Sequence, residues 1–593
     1  MLNWIVLGYP DKPTSAAKAG GTCSADQYKV LQNLQRQIDH FSDVASFASQ
    51  DLGRFGEKFS ALKRSSEELP AHLEVDLEDL LHDIHSSLNH YTRFEKPHFA
   101  DRDKFSQRHA HCTHDPARVV SDSVGNKPVI ASRIKWKHPP TFDARPYLLD
   151  PVVASVYDHP DTLRLPVSEW PQKSKARVHC DRSELKELMK IWDAHGSLAL
   201  FPASEIDEHE TVGLFAVPKD SEYDRLIVNP TVLNSRMIGY SNFTRKLAPG
   251  SLIALLSLEP GQYFRYNADD LSDFYYTFRV SRDRAKRNAI GVKMFDKDVE
   301  GLTCFDPNVK GPFYPALSTL AMGDGHAVEI AQGSHHALLQ IEAGSMLESE
   351  SLEYRKPIPR GDFIELLAID DHIGIQRVSY DQLVAKTPLR DSEVFDRATS
   401  AYSRVGLVSH PAKQKRFQTQ GTILGADFDG LKGLVSAPRS RILLLCLVTS
   451  LICSKGACTR HLLNSLVGCW IHIILFRRPL LALMDAVFRE GMEHKPHDVF
   501  CLSSQLRHEL MSLCLLAPCA QADLRAAFCP RIYAMDASPW GGGIVYAESN
   551  SNATSELWRH SEQRGYHTNL ISPAAATLEE LGFDSSGSLA MFP

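Results

Sequence analysis

Leu366-Leu367-Ala368-Ile369-Asp370-Asp371-His372-Ile373-Gly374 sets two adjacent carboxylates between apolar flanks, the pattern of a β-hairpin whose tip carries the acids. A second acidic island, Asp270-Leu271-Ser272-Asp273-Phe274-Tyr275-Tyr276, reads as a strand end running into an aromatic-rich turn. Side by side, the two elements bring Asp270 and Asp370 together. Converging carboxylates do not all stay ionised unless a cation sits between them. Magnesium is the usual cation for such oxygen donors. Two ions about 3.5–4 Å apart clamp the attacking and leaving oxygens of a phosphoryl transfer. An isolated Asp-Asp pair is common at exposed turns, so the order of the surrounding segments has to decide between the two readings.

That order is informative. Glu184-Leu185-Lys186-Glu187-Leu188 leads through Gly196 to Phe201-Pro202-Ala203-Ser204. Val217-Pro218-Lys219-Asp220 and Asp224-Arg225-Leu226-Ile227-Val228-Asn229-Pro230 read as strand, turn and strand, with Asp220 and Ser221 at the bend. After the first acidic island comes Leu320-Ala321-Met322-Gly323-Asp324, followed by Ala327, Val328 and Gln332. After the second come Lys413 or Lys415, then Leu424-Gly425. In this order and spacing, residues 183–425 resemble the reverse transcriptase of a retrotransposon, of the gypsy-like and DIRS-like kind.

The resemblance implies an α+β right-hand polymerase with fingers, palm and thumb. An N-terminal helical region would occupy residues 1–90, an irregular linker 91–162, fingers and palm 163–433, and a helical thumb and connection 434–527. A partial ribonuclease H-like segment would fill 528–593. Asp270 and Asp370 are then the ligands of two Mg2+ ions, with Mn2+ as a substitute, and Asp371 supports them. Lys219 and Arg225 would fold over the incoming triphosphate, where a guanidinium offers fork-shaped donors to phosphate oxygens. Asp273, Phe274 and Tyr275 would line the triphosphate and sugar pocket, with Tyr275 excluding a ribose 2′-hydroxyl. Met322 and Gly323 would grip template and primer, and Gln332 would sit in the nucleotide pocket. Lys413 or Lys415 would lie near the leaving pyrophosphate. The implied partners are an RNA or DNA template with its primer and deoxynucleoside triphosphates.

The chain departs from the family pattern in places. Ala368 replaces the usual aromatic before the acid pair, Asn229 stands where Asp is common, and Met322 and Asp324 are unusual in the grip segment. An inactive relic that still binds nucleic acid is therefore the second reading. An RNA-dependent RNA polymerase is a distant third, opposed by Tyr275 and by the lack of a Ser-Gly…Thr…Asn grip.

Composition is that of a globular protein: 593 residues, 43% hydrophobic and 23% charged. A formal net charge of −7 means that phosphate attraction must come from local patches. Arg279, Arg282, Arg284, Lys286, Arg287 and Lys293 form one candidate, and Lys173, Lys175, Arg177 and Arg182 another. Twelve cysteines without compact spacing, and no signal peptide, point to an intracellular protein of cytoplasm or nucleus. His109, His111, Cys112 and His114 make only a weak zinc pattern. The apolar runs 442–453 and 462–476 are too short to span a membrane and read as buried helices. Near the N-terminus, apolar residues at alternating three and four over 31–62 form a helical seam suited to a hairpin or to self-association through 31–69. Near the other end, Ile532-Tyr533-Ala534-Met535-Asp536-Ala537-Ser538 and Gly541-Gly542-Gly543-Ile544-Val545-Tyr546 read as two strands around a glycine turn. Asp536 resembles the first metal ligand of a ribonuclease H. Ser572 stands where that family has its next acid, so no ribonuclease activity is expected.

Overall fold

The computed structural model describes residues 127–171, 176–492, 494–538 and 541–560. The seam at 31–62, its self-association, the His/Cys pattern at 109–114, Lys173, Lys175 and Ser572 lie outside the described residues. The chain divides into two units, one of residues 1–354 and 359–527, the other of 355–358 and 528–593.

The first unit begins with α1 (Pro151–Asp158), where Pro151 occupies the first turn and the Asp150 carboxylate accepts from the amides of Val152 and Val153. Helix α2 (Arg182–Ala194) repeats apolar residues at helical spacing and buries Leu185, Leu188, Met189 and Trp192. These pack beside β1 (Leu198–Pro202), β2 (Gly213–Pro218) and β3 (Asp224–Asn229). Strands β2 and β3 form the expected hairpin, Val217 opposite Arg225.

The central sheet is antiparallel. It contains β4 (Gln262–Asp270), and beyond it in sequence come β5 (Phe313–Leu317), which pairs with β1, and helix α3 (Ala327–Leu338). Then follow β6 (Phe363–Ala368), β7 (Asp371–Ser379), helix α4 (Arg390–Arg404) and β8 (Lys415–Gln418). The strand order is β6-β7-β4-β8. Side chains alternate between the two faces. One face carries Arg265, Asn267 and Asp269 of β4 beside Glu365, Leu367 and His372, and meets α3 and α4. Arg265 forms a fully buried two-pronged pair with Asp391 of α4, both bonds 2.8 Å. Gly374 lets this layer close, because a Cβ there would come within 2.7 Å of the Phe363 and Phe395 rings.

The other face carries Tyr266, Ala268 and Asp270. It is covered in part by a second sheet of β9 (Gln420–Ile423), β10 (Ala426–Asp429) and β11 (Leu434–Ser436), whose Phe428 meets the rings of Phe264 and Tyr266. Past this sheet the chain is mainly helical: α5 (Arg439–Lys455), β12 (Ala457–Thr459), α6 (Arg460–Ile474), α7 (Asp485–Met492), β13 (Val499–Cys501) and α8 (Ser504–Leu516). Strand β14 (Gln521–Asp523) then pairs with β11. Helices α5 and α6 are joined by a buried bond from the Trp470 indole to the Thr449 hydroxyl, 2.9 Å. They hold the two apolar runs except for Leu475 and Phe476, and among the described residues no helix is long and apolar enough to cross a membrane.

In the second unit, β15 (Arg531–Ser538) and β16 (Gly541–Glu548) form an antiparallel hairpin that sets Asp536 opposite Gly543, and α9 (Ser551–Arg559) follows.

Candidate active site

Strand pairing builds the acidic centre. Asp270, the last residue of β4, is the Cα partner of Asp371, the first residue of β7. Residues directly opposite in an antiparallel pair share a face, so both carboxylates stand on the one that carries Tyr266 and Ala268. Asp370 belongs to the two-residue turn between β6 and β7, and its carbonyl accepts from Leu271 N–H at 3.0 Å. The two acidic islands are thereby tied edge to edge.

Charge and burial act on this cluster together. The Asp371 carboxyl is pushed up to about 6 by burial and then by the charges of Asp370 and Asp270. Asp370 is raised by burial and by Asp270. Lys413 and Arg225 pull the other way on Asp370, and Lys413 and Lys415 on Asp371. The Lys413 ammonium lies 2.6 Å from Asp270 Oδ2. Lys415 instead lies over the Tyr266 ring, 5.7 Å from its centroid. Of the two lysines left open by sequence, Lys413 is the one that touches the acids.

One cation, Arg225, also acts on the cluster from the β2–β3 hairpin. Arg225 is exposed, and its neighbours Asp224 and Leu226 point inward. Among the described residues Arg225 makes no ion pair, whereas Asp224 is held by Arg133 at 2.7 Å. Lys219 is exposed at the bend, where its amide donates to the Tyr223 carbonyl.

The aromatic turn divides its residues between site and core. Asp273 adopts a left-handed conformation, φ 51°, which starts a single helical turn over Phe274–Thr277. One of its carboxylate oxygens is buried without a hydrogen bond, with the Lys137 ammonium 3.9 Å away. Tyr275 is partly buried, and its hydroxyl is kept protonated by burial and then by the nearby charge of Asp370. Phe274 is a correction to the pocket expected from the sequence. It is 2% exposed and packs edge-on to Phe278 and beside Phe142 and His335, so it belongs to the core.

Gln332 is also placed differently from the expectation. Its amide donates to the Leu367 carbonyl at 3.1 Å and accepts from Ile369 N–H at 2.6 Å, so both ends are bonded to the acid-bearing hairpin. Gly323, φ 112°, lies against the end of β3, where a Cβ would come within 3.2 Å of the Val228 carbonyl. Asn234 fixes this loop by donating to the Gly323 carbonyl and accepting from Gly325 N–H, and Met322 beside it is half-buried. Asp324 has a structural partner. Burial opposes its ionisation, but the Arg284 guanidinium 3.2 Å away holds its carboxyl below the usual range.

That pair also corrects the first basic patch. Arg284 is buried, Arg287 pairs with Asp161 at 2.8 Å, and Arg282 with Glu205 at 3.1 Å. In the second patch Arg182 pairs with Asp298. Three of the six cations in the first patch, Arg282, Arg284 and Arg287, are thus already partnered.

Sequence reasoning missed Asp269, which is adjacent to Asp270 but turned to the helical face, where Arg416 grips it through both oxygens at 2.9 and 3.1 Å. Strand alternation was the available signal. It missed His335, Tyr402, His372 and Glu365 as well, which form a buried polar chain behind the hairpin.

Carboxylates crowded until their protons are held too tightly are a donor set suited to a hard divalent cation. Among the described residues no three His, Cys, Asp or Glu side chains close on one point as a full protein cage would. Magnesium does not need such a cage, because it keeps several waters and takes one or two carboxylates together with substrate phosphates. Asp270 with Asp370 and Asp371 fits that requirement.

No protein-family model matches the sequence, and no curated protein matches it. Solved structures do show a likeness. Three of a foamy viral protease-reverse transcriptase, one of them the dRH form with double-stranded DNA, one with double-stranded DNA and one with an RNA/DNA hybrid, align over 66% of this chain. Their identities are 11%, 13% and 11%, each with a TM-score of 0.41. The aligned part spans 57%, 68% and 44% of those chains. At these values the functional reading has to rest on the geometry of this chain itself.

Proposed function

We propose that this chain is an RNA-directed DNA polymerase of a retrotransposon, a nucleotidyltransferase that extends a primer with deoxynucleoside triphosphates. The observation that carries the reading is the register of Asp270 with Asp371 across β4 and β7, with Asp370 at the adjoining turn and Arg225 acting on it.

In the proposed reaction the primer 3′-oxygen bonds to the α-phosphorus as the bond to pyrophosphate breaks, and the hydroxyl proton leaves to solvent. Asp270 and Asp370 would hold two Mg2+ ions, which when bound stabilise charge on the attacking and leaving oxygens. Arg225 and Lys219 would neutralise the triphosphate from the β2–β3 hairpin. Lys413 would move from Asp270 toward the departing pyrophosphate. Tyr275 would close the sugar pocket to a ribose 2′-hydroxyl. Positioning and charge stabilisation supply most of the rate in such transfers.

The test is primer extension on poly(rA) with oligo(dT), dTTP and Mg2+, comparing wild type with Asp370→Asn. Extension by wild type and none by the folded variant supports the assignment. Equal extension by both places the chemistry elsewhere, and no extension by folded wild type that binds the duplex favours the silent relic.

A further inference from the structure

The turn that presents Asp370 has an unusual occupant. Ile369, the first residue of the two-residue β6–β7 connection, has φ 59°, whereas Asp370 is outside the left-handed region. That is the pattern of a type II′ turn, whose first position glycine ordinarily fills. A β-branched residue there is strained, and such a conformation persists only when its surroundings over-determine it.

Those surroundings are two side chains one helical turn apart on α3. Ile369 N–H donates to Gln332 Oε1 at 2.6 Å, and Gln332 Nε2 donates to the Leu367 carbonyl at 3.1 Å. An N–H can only donate and a C=O only accept, so a single orientation of the amide serves both. The Ile369 carbonyl accepts from His335 Nδ1 at 2.7 Å. Both main-chain groups of the strained residue are therefore held.

His335 is itself held. With its proton on Nδ1, its Nε2 accepts from the Tyr402 hydroxyl at 2.9 Å. The Tyr402 oxygen lies 3.3 Å from His372 Nδ1, and His372 Nε2 lies 2.7 Å from Glu365 Oε1. Glu365 Oε2 accepts from Met346 N–H at 2.6 Å. Since His372 and Glu365 belong to β7 and β6, the chain of bonds runs from the turn through α3 and α4 back to the same hairpin. All five side chains are at most 6% exposed. Apolar residues would suffice to pack helices on a sheet, whereas a polar chain aimed at turn main chain fixes a conformation.

We propose that Gln332 and His335 are positioning residues that clamp Ile369 in its left-handed conformation and so aim Asp370 at the reacting phosphate. The catalytic consequence rests on the polymerase reading above; the clamp itself does not.

The experiment uses the full chain with Gln332→Leu, His335→Phe and Ile369→Gly, each singly, and with each α3 change combined with Ile369→Gly. Glycine accepts the left-handed turn without strain, so it should make the clamp dispensable. Gln332→Leu and His335→Phe are expected to lower the extension kcat by about 10–100-fold with Ile369 present, and by no more than about 3-fold in the Ile369→Gly background. An equal loss in both backgrounds, or a loss confined to the KM for dTTP, would overturn the proposal in favour of direct nucleotide contact.

Hydrogen exchange at the Ile369 amide decides the clamp without activity. It should be protected in wild type and lose about 10-fold or more of that protection in Gln332→Leu; an unprotected wild-type amide refutes the clamp even if the enzyme extends primers. If the α3 variants do not fold, Ile369→Gly against Ile369→Ala tests the turn that the clamp presupposes, and a glycine variant that melts no higher than the alanine variant overturns the proposal. Wild type that does not extend primers but shows the protected amide would sink the polymerase reading and leave the clamp standing.

Discussion

Asp270 and Asp371 are opposite partners across β4 and β7, so two acids separated by a hundred residues of sequence share one sheet face. Burial, then the charge of Asp370 and last that of Asp270, pushes the Asp371 carboxyl up to about 6. In the unfolded chain it returns to the ordinary carboxylate value near 4. Between these limits the folded state binds more protons, so stability from this group is full below about pH 4 and is lost as pH rises through about 6. Asp371→Asn is expected to raise stability at pH 8 by about 1 kcal/mol, after allowance for its partial exposure, and to flatten this part of the pH profile. Urea unfolding at pH 4 and pH 8 measures both, and an unchanged profile would contradict the coupling.

Asp269 and Asp270 are neighbours with opposite environments, one gripped by Arg416 on the helical face and the other beside Lys413 at the site. Asp270→Asn should abolish extension, by about 1000-fold or more, with the melting temperature nearly unchanged. Asp269→Asn leaves the Arg416 charge without its counterion and should cost about 2–4 kcal/mol of stability. Reversed outcomes in melting and extension assays would mean that the strand phase is wrong.

Tyr275 stands partly buried within reach of the Asp370 charge. Tyr275→Ala should let ribonucleotides in, lowering the preference for dTTP over UTP by about 10–100-fold while dTTP incorporation persists. Single-nucleotide extension with each substrate measures it. Unchanged discrimination would remove Tyr275 from the sugar pocket.

The Arg265–Asp391 pair ties the centre of β4 to α4 with both partners fully buried. Asp391→Ala strands a guanidinium in the core and should destabilise by about 3–5 kcal/mol. Replacing both residues by Met and Leu should recover much of that loss, because removing both charges leaves none unpaired. Denaturant midpoints of the single and double variants decide it.

The hairpin around Asp370 was legible because apolar residues flank its acids on both sides and leave room only for a tight turn between the strands. The β2–β3 hairpin was legible from Asp220 and Ser221 at the bend. Other features depended on what lies across the fold. Phe274 and Tyr275 are adjacent aromatics, and only the packing of Phe142 and Phe278 shows which one is core. Arg284 looks like one more exposed cation until Asp324 is brought beside it. His335 and Tyr402 read as ordinary polar positions on two helices, and their bond to each other spans elements that sequence alone does not juxtapose. Lys413 and Lys415 differ in role because β8 begins between them.

The internal pairing of Arg282, Arg284 and Arg287 has a consequence for how the proposed enzyme would hold its template. Guanidiniums already bonded to Asp161, Glu205 and Asp324 have little left to offer a phosphate, so these three would release few counterions from a duplex. Under the proposed function the duplex would be held by groups other than these three, so substituting them should leave its salt dependence nearly unchanged.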